Sequence, residues 1–196
     1  MKEYYDRRAA TYDDWYLGRG RYASRDVKSW EDDLAGLTRA ISLLEPCSTL
    51  DVACGTGFLT RHLPGSVVGL DQSAAMLDEA KRQAPTAVYV RGDALALPFE
   101  DGSFARVFTG HFYGHLGPGE RAMFLDEAAR VGSELVVVDA AVRSDHELEE
   151  VQQREVDGET WPVLKRYFAP EMLVRELGGG ETVYAGPWFV MARRAW

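Results

Sequence analysis

Residues 50–59 read LDVACGTGFL, a short apolar run that ends in a turn built largely from small residues. Ala53, Gly55 and Gly57 would let the backbone turn tightly and come close to a ligand, and a following helix would present free N–H groups. Such a turn also occurs as a plain strand-to-helix connection, so it is weak support for a binding site by itself. It does predict one βα unit of a parallel sheet.

On both sides of this segment, strand-like runs alternate with helical ones, which is typical of βαβ units. We expect five strands before the C-terminal part of the chain, at residues 49–53, 67–71, 87–91, 104–109 and 135–139. Helices are expected at 58–63, 73–83, 118–131 and 170–177. Two further strands around Gly186-Pro187 predict a hairpin. The predicted fold is α/β: a Rossmann-like, seven-stranded, mostly parallel sheet with an antiparallel C-terminal hairpin and helices on both faces.

The chain has 196 residues and a net charge of -9, which suits a single domain and opposes binding to nucleic acid or to an anionic membrane. The sequence contains no run of about 18 apolar residues, so we predict no membrane insertion. Its N-terminal residues are charged where a leader would be apolar. Cys47 and Cys54 form neither a disulfide framework nor a CxxC pair. We therefore expect a cytoplasmic protein.

The acidic excess is concentrated in residues 144–181, which contain ten acidic residues and four basic ones. We interpret this segment as a solvated helical face, with an acidic rim that repels anionic substrates as the alternative. Its aromatic residues Trp161, Tyr167 and Phe168 could line a pocket together with aromatics from elsewhere, although such residues are as readily explained as core.

Two nucleotide-binding patterns are incomplete in the turn. A dinucleotide fingerprint needs a third glycine where Thr60 stands, and a P-loop needs a lysine where Phe58 follows Gly57. Instead, carboxylates follow the first three strands. Asp51 suits an ammonium group, Asp71 the two hydroxyls of a ribose, and Asp93 the exocyclic amine of adenine. An ammonium, a ribose and an adenine without phosphate describe S-adenosylmethionine.

Residues 46–140 resemble class I S-adenosylmethionine-dependent methyltransferases, in a small-molecule branch similar to the ubiquinone and menaquinone biosynthesis enzymes. The matching motifs are DVACGTGFL, GLDQSAAML and GDALALPFEDGSF, in the family's order and spacing. The N-terminal YYDRRAATYD also resembles that branch, in which this helix covers the cofactor; an amphipathic helix packed on the core is the alternative.

The resemblance implies a set of cofactor-binding residues. These are Tyr12, Asp51, Ala53, Gly55, Gly57, Asp71, Gln72, Met76, Gly92, Asp93, Ala94 and Thr109. Within the set, Asp51 and Thr109 would face the methionine end, Asp71 the ribose, and Asp93 the adenine. The chain departs from the fullest pattern at Ala53, where many members of the family have glycine.

Methyl transfer from a sulfonium chiefly requires an acceptor held in line, so a general base is optional. His111 and His115 follow the fourth predicted strand, and a histidine with a near-neutral pKa could take a proton from a phenol or an amine. We therefore assign them as candidate catalytic residues, with packing or a helix start as the alternative. Their spacing also suits zinc, but no third ligand accompanies them, so no metal is expected.

The resulting prediction is a S-adenosylmethionine-dependent methyltransferase for a small-molecule acceptor, methylated at O, N or C. A non-catalytic S-adenosylmethionine or S-adenosylhomocysteine binder and an NAD-dependent oxidoreductase are the alternatives. We expect one domain over 1–196, as a monomer or homodimer. It comprises an N-terminal helical lid (1–45), a cofactor-binding core (46–140), a substrate-side insertion (141–169), and a final helix and hairpin (170–196).

Overall fold

The computed structural model describes residues 2–19, 27–145 and 147–196. Part of the predicted N-terminal helical lid, namely residue 1 and residues 20–26, lies outside the described ranges, as does residue 146. Within these ranges the chain forms one large sheet, a separate two-stranded sheet, and six α-helices.

The large sheet confirms the predicted α/β class with its seven strands. Its first five strands are β1 (Cys47–Val52), β2 (Gly65–Asp71), β3 (Val88–Arg91), β4 (Arg106–Gly110) and β5 (Glu134–Ala140). They pair in parallel, whereas β8 (Glu181–Ala185) and β9 (Phe189–Ala195) complete the sheet as an antiparallel pair in the order β3-β2-β1-β4-β5-β9-β8. The carboxyl ends of β1 to β4 therefore meet at one edge.

The helices are α1 (Lys2–Arg8), α2 (Asp14–Leu17), α3 (Val27–Ser42), α4 (Ala74–Gln83), α5 (Pro118–Val131) and α6 (Pro170–Glu176). Alternate residues of the central strands point to opposite faces, so neighbours in β5 enter different cores. Val137 packs with residues of α5 and α6, whereas Val136 and Val138 pack with residues of α3. Helices thus cover both faces, as the sequence predicts.

The predicted helix over 58–63 is wrong. Only a 3-10 turn, Thr60–His62, follows the small-residue segment. Pro64 disfavours the helical conformation at the residue before it, and Leu63 accordingly has an extended backbone with φ -73° and ψ 126°. Too few residues remain between the turn and Pro64 for an α-helix to form.

The prediction of a helical face in the acidic segment is also wrong. Residues Glu149–Val156 (β6) and Glu159–Arg166 (β7) form the two-stranded antiparallel sheet. Asp157 and Gly158 join the strands with φ of 51° and 78°, the left-handed geometry of a tight hairpin turn. An Asp-Gly dipeptide between two runs of alternating residues is a strong hairpin signal, and it could have identified these strands from the sequence.

Candidate active site

A cavity of about 310 Å³ opens at the carboxyl ends of β1 to β4, where an open parallel sheet places its ligands. We call it the crevice. The structure brings together eleven of the predicted site residues along its walls, namely Tyr12, Ala53, Gly55, Asp71, Gln72, Met76, Gly92, Asp93, Ala94, His111 and His115. A small recess lined by Asp51 adjoins the crevice and shares Tyr12, Ala53 and Gly55 with it.

Asp71 ends β2 and stands in the crevice wall with a fixed carboxylate. Its Oδ2 accepts a hydrogen bond from the Gly55 N–H and its Oδ1 from the Ser73 N–H, both at 2.9 Å. A carboxylate oxygen has capacity for more than one hydrogen bond, so both oxygens can accept a further donor from a ligand. Burial raises the pKa of Asp71, against the effect of these backbone donors.

Asp51, the penultimate residue of β1, is buried more deeply. Its Oδ2 accepts a hydrogen bond from the Thr60 hydroxyl at 2.6 Å. Burial, and to a smaller extent the nearby Asp71, raise the pKa of Asp51 to about 7, while the Thr60 bond opposes the shift. Within the part of the chain that the structure describes, neither Asp51 nor Asp71 forms an ion pair with a basic side chain. Two buried carboxyl groups at one edge of the sheet therefore fit a ligand that carries positive charge.

The backbone of the turn explains the residue types found there. Ala53 has a φ of 57°, in the left-handed region that glycine adopts without cost, so glycine would be the relaxed residue at this position. Gly57 does not line the crevice. A Cβ on Gly57, whose φ is 78°, would lie 3.0 Å from the Ala80 Cα, so its role in the structure is to let α4 pack against the turn.

Thr109 also lies outside the crevice wall. It is fully buried in β4, and its hydroxyl donates to the Val52 carbonyl at 2.8 Å, which fixes β4 against the end of β1. Its neighbours Gly110 and His111 line the crevice instead. The prediction selected the strand end correctly, but side-chain direction within the last residues of a strand was not evident from the motif.

The N-terminal helices dock over this edge through two aspartates. Asp6 accepts a 2.5 Å hydrogen bond from the Ser73 hydroxyl, and Asp13 accepts one of the same length from the Thr56 hydroxyl. Ser73 is also the N-cap of α4, where its hydroxyl accepts from the Met76 N–H. The sequence prediction missed Asp6 and Asp13, although both belong to the YYDRRAATYD motif that it singled out.

His111 occupies a conformation that few non-glycine residues adopt, with a φ of 57°. It is 6% exposed, and neither ring nitrogen has a hydrogen-bond partner among the described residues, although Asp139 Oδ1 lies 4.0 Å from Nδ1. The Trp15 ring contacts it edge-on at 4.7 Å between centroids. A buried imidazole with two unused polar atoms at a cavity wall is placed to meet a ligand or water.

His115 lies one short 3-10 turn further on, and its Nδ1 donates to the Leu164 carbonyl at 2.5 Å. Burial chiefly, with a smaller contribution from Lys165 and against the effect of Asp139, lowers the pKa of both histidines to about 3; Arg154 also lowers that of His115. The expectation of a near-neutral histidine base is therefore wrong for both. Each imidazole is neutral at physiological pH and acts there through hydrogen bonds and shape.

Asp139, at the end of β5, connects the hairpin β6–β7 to the large sheet. Lys165 of β7 donates to its Oδ1 at 2.6 Å, and the Gly114 N–H donates to Oδ2 at 2.7 Å. Although burial alone would raise the pKa of Asp139, the charge and hydrogen bond of the Lys165 ammonium hold it below the usual value. This buried ion pair fixes the hairpin beside His111 and His115.

A second cavity of about 290 Å³ lies on the hairpin side of the two histidines. Tyr12, His111 and His115 line both cavities, so the two spaces share one wall. Of the aromatic residues proposed for an acceptor pocket, Tyr167 lines this cavity, whereas Phe168 is buried in the core and Trp161 packs against α1.

Two other types of site are absent from the residues that the structure describes. No three His, Cys, Asp or Glu side chains there come together as metal ligands. No helix in the same residues is both long enough and apolar enough to span a bilayer.

Comparison with known proteins agrees with this geometry. Residues 49–134 match the model of a methyltransferase domain family. A dTDP-3-amino-3,6-dideoxy-alpha-D-glucopyranose N,N-dimethyltransferase of Streptomyces fradiae is 44% identical over 88 residues, which cover 43% of this chain and 32% of that protein. A 2-phytyl-1,4-naphtoquinone methyltransferase of Thermosynechococcus vestitus is 35% identical over 109 residues, covering 44% and 48%. The chain thus spans between a third and a half of these curated relatives.

Similarity to one solved structure extends over nearly the whole chain. The structure of a DhpI–SAH complex matches with a TM-score of 0.72 and 25% identity, covering 98% of this chain and 94% of that one. The likeness therefore includes the hairpin and the N-terminal helices as well as the sheet. Together, the strand order, the motifs around the crevice and the matched segment mark residues 49–134 as a methyltransferase domain, and the whole chain is similar to a protein solved in complex with SAH.

Proposed function

We propose that this chain is an enzyme that transfers a methyl group from S-adenosylmethionine to a small-molecule acceptor. The observation that carries the proposal is the pair of buried carboxyl groups, Asp51 and Asp71, without a basic partner among the described residues. Both would stabilise a cationic ligand that carries hydroxyl donors. The two phosphates of NAD would instead be repelled by them, which argues against the oxidoreductase alternative.

When bound, S-adenosylmethionine supplies a methyl group on a positively charged sulfur, which is a good leaving group. We assign Asp71 to the ribose, because it ends β2 in the crevice wall and two backbone N–H groups fix its carboxylate. Asp51 would stabilise the charged methionine end from its recess. Gln72, Met76, Asp93 and Ala94 would contact the ribose and the adenine. Ala53, Gly55 and Gly92 would bring the backbone close to the ligand, and Tyr12 would cover it.

The remaining predicted residues have less direct roles in this proposal. Gly57 and Thr109 would act by holding the turn and the ends of β1 and β4. His111 and His115 would meet the acceptor as neutral imidazoles, because their low pKa values make them poor bases at physiological pH. Catalysis would then come from positioning, which is worth roughly 7 to 11 kcal/mol when an acceptor is well oriented.

We also propose the division of labour along the chain. Residues 46–140 would bind the cofactor, and residues 1–45 would cover it, as the contacts of Asp6 and Asp13 with the crevice edge suggest. Residues 141–169 would form the acceptor side, and residues 170–196 complete the sheet. A monomer or homodimer without nucleic-acid partners, in a reducing compartment such as the cytoplasm, is in keeping with the net charge and with two free cysteines.

Calorimetric titration with S-adenosylmethionine, S-adenosylhomocysteine and NADH tests the proposal. We expect the two nucleosides to bind and NADH not to bind; the reverse pattern would refute a methyltransferase. A non-catalytic binder would bind both nucleosides and yet form no S-adenosylhomocysteine with a panel of phenols, amines, carboxylates and quinones.

The Asp71→Ala variant, compared with the exposed Asp78→Ala, links any binding to the crevice. Binding that survives Asp71→Ala unchanged would place the site elsewhere. Light scattering after gel filtration distinguishes a monomer from a homodimer.

A further inference from the structure

The second cavity, on the hairpin side of His111 and His115, is positively charged although the protein is acidic. Four cationic side chains line it, namely Arg8, Arg143, Arg154 and Lys165, and no aspartate or glutamate does. Against a net charge of -9 for the whole chain, this concentration of basic groups at one wall is not a property of the average surface.

The alternation of side chains along the strands of the β-hairpin separates its acidic residues from the basic residues of the cavity. In β6, Glu149, Val151, Gln153 and Glu155 are exposed, whereas Gln152 and Arg154 are partly buried and line the cavity. Lys165 of β7 is buried on the same side. Because successive side chains of a strand point to opposite faces, most carboxylates of this segment lie in the solvent, whereas Arg154 and Lys165 face the cavity. Glu150, on the same face of β6 as Gln152, accepts hydrogen bonds from Gln152 and Tyr167 behind the cavity wall.

Arg154 has a neutral hydrogen-bond partner, so its charge is not compensated by a carboxylate as those of Lys165 and Arg143 are. Its Nε and Nη2 both donate to the neutral Gln152 Oε1, at 3.0 and 2.7 Å. In the described residues it forms no ion pair, whereas Lys165 pairs with Asp139 and Arg143 with Asp145. Arg143 is also held over the Trp188 ring, with its Cζ 4.4 Å from the centroid. The cavity wall therefore presents fixed guanidinium groups that suit a planar or tetrahedral oxyanion.

His111 provides an independent sign that this space receives a ligand. It is more than nine-tenths buried, both of its ring nitrogens lack a partner among the described residues, and it lines both cavities. Buried polar atoms are almost always hydrogen-bonded in native proteins, so the two nitrogens call for a polar group that comes from outside the described chain.

We propose that the second cavity is the acceptor site and that the acceptor is a small molecule bearing an oxyanion, either a carboxylate or a phosphoryl group. This inference rests on the proposed function, because the shared wall of Tyr12, His111 and His115 is where a cofactor in the crevice would meet it. The Trp15, Trp30 and Trp188 rings, which also line the cavity, offer contact to an apolar part of the same molecule. A cationic acceptor would be repelled by the Arg154 guanidinium.

Four matched probes test the charge preference by calorimetry: benzoate, phenylphosphonate, benzamide and benzylamine. Each is titrated into the protein alone and into the protein saturated with S-adenosylhomocysteine. We expect at least one of the two anions to bind at least tenfold more tightly than the neutral amide and the amine. The tighter anion identifies whether a carboxylate or a phosphoryl group is preferred.

Arg154→Gln should weaken binding of that anion at least tenfold and leave the affinity for S-adenosylhomocysteine within twofold. Arg143→Gln removes a second cation of the same wall and serves as an independent test if the first variant does not fold. Arg193→Gln, an exposed arginine of β9, is the matched control and should change neither affinity. Circular dichroism and thermal unfolding establish that each variant is folded.

Equal binding of the neutral and anionic probes would overturn the inference, as would an anion affinity that neither pocket variant reduces, or binding of no probe by a protein that binds S-adenosylhomocysteine. Failure to bind S-adenosylhomocysteine with intact anion binding would instead overturn the proposed function, so the two failures are distinguishable.

Discussion

Replacement of Asp51 by asparagine should remove a pH dependence of stability that is centred between pH 4 and pH 7. The pKa of Asp51 is about 7 in the folded protein, against an ordinary value of 3.8 that applies to the unfolded chain. Because the folded-state pKa is raised, the stability that this group contributes is fully present below pH 3.8 and is lost as the pH rises to 7. A difference of about three pH units corresponds to about 4 kcal/mol, at 1.36 kcal/mol per unit.

Urea unfolding of the wild type and of Asp51→Asn at pH 4, 5.5, 7 and 8 measures this effect. The quantity to compare is the free energy of unfolding of the wild type minus that of the variant, which should fall by up to about 4 kcal/mol between pH 4 and pH 8. Subtraction removes the contributions of groups that do not interact with Asp51; any change in the titration of Asp71 belongs to the measured difference, because the two carboxyl groups interact. Asp78→Asn, at an exposed position of α4, is the matched control for replacing an aspartate by asparagine outside the buried site.

The same group should couple pH to ligand binding. A cationic ligand favours the ionised Asp51, so the affinity of the wild type for S-adenosylmethionine should fall by up to tenfold for each pH unit below 7, and Asp51→Asn should lack this slope. Two results would refute the raised pKa of Asp51 and its place in the site: an unfolding free-energy difference between wild type and Asp51→Asn that is independent of pH from 4 to 8, together with a wild-type affinity that is equally independent of pH.

Three further predictions concern the crevice and the sheet. Asp71→Ala removes the proposed acceptor of the ribose hydroxyls and leaves the Gly55 and Ser73 N–H groups of the crevice wall without theirs, so calorimetry should show nucleoside binding weakened at least tenfold. In a matched pair, Ala53→Gly should raise the free energy of unfolding by up to about 1 kcal/mol by relieving a positive φ, and Gly57→Ala should lower it by about 1 kcal/mol or more, both read from urea unfolding. Asp33→Ala should lower the unfolding free energy by about 3 kcal/mol, because the buried carboxylate accepts from the N–H groups of two consecutive residues at the start of β9; an unchanged midpoint would contradict this.

The sheet was predictable from the sequence because buried parallel strands are continuous apolar runs. The run that ends in Asp139 is apolar for four residues and lies in β5 near the centre of the sheet, as expected. Position after a strand end also predicted that Asp71 and Asp93 would share a crevice, since the carboxyl ends of parallel strands meet at one edge. Apolar runs and the residues at strand ends can both be recognised from neighbouring residues alone, without knowledge of the strand order.

The acidic segment shows where local reasoning failed. Composition suggested a solvated helix or an acidic rim, but charge counts do not register which face of a strand a residue occupies. Glu155 and Arg154 are adjacent in sequence and on opposite faces of β6, so the same segment supplies an acidic surface and a basic cavity wall. The pKa values of His111 and His115 were equally inaccessible, because they depend on burial by residues far along the chain.

The buried pair of Lys165 and Asp139 has a consequence for the entropy of ligand binding. Moving β7 away from β5 would separate two charges in a medium of low dielectric constant and expose Val163, which is fully buried, so the hairpin stays in place whether or not the cavity is filled. The ordering of Gln152 and Arg154 is thus completed when the chain folds. The proposed acceptor would then meet donors that the fold has already placed, and its affinity would not be reduced by the cost of arranging a loop.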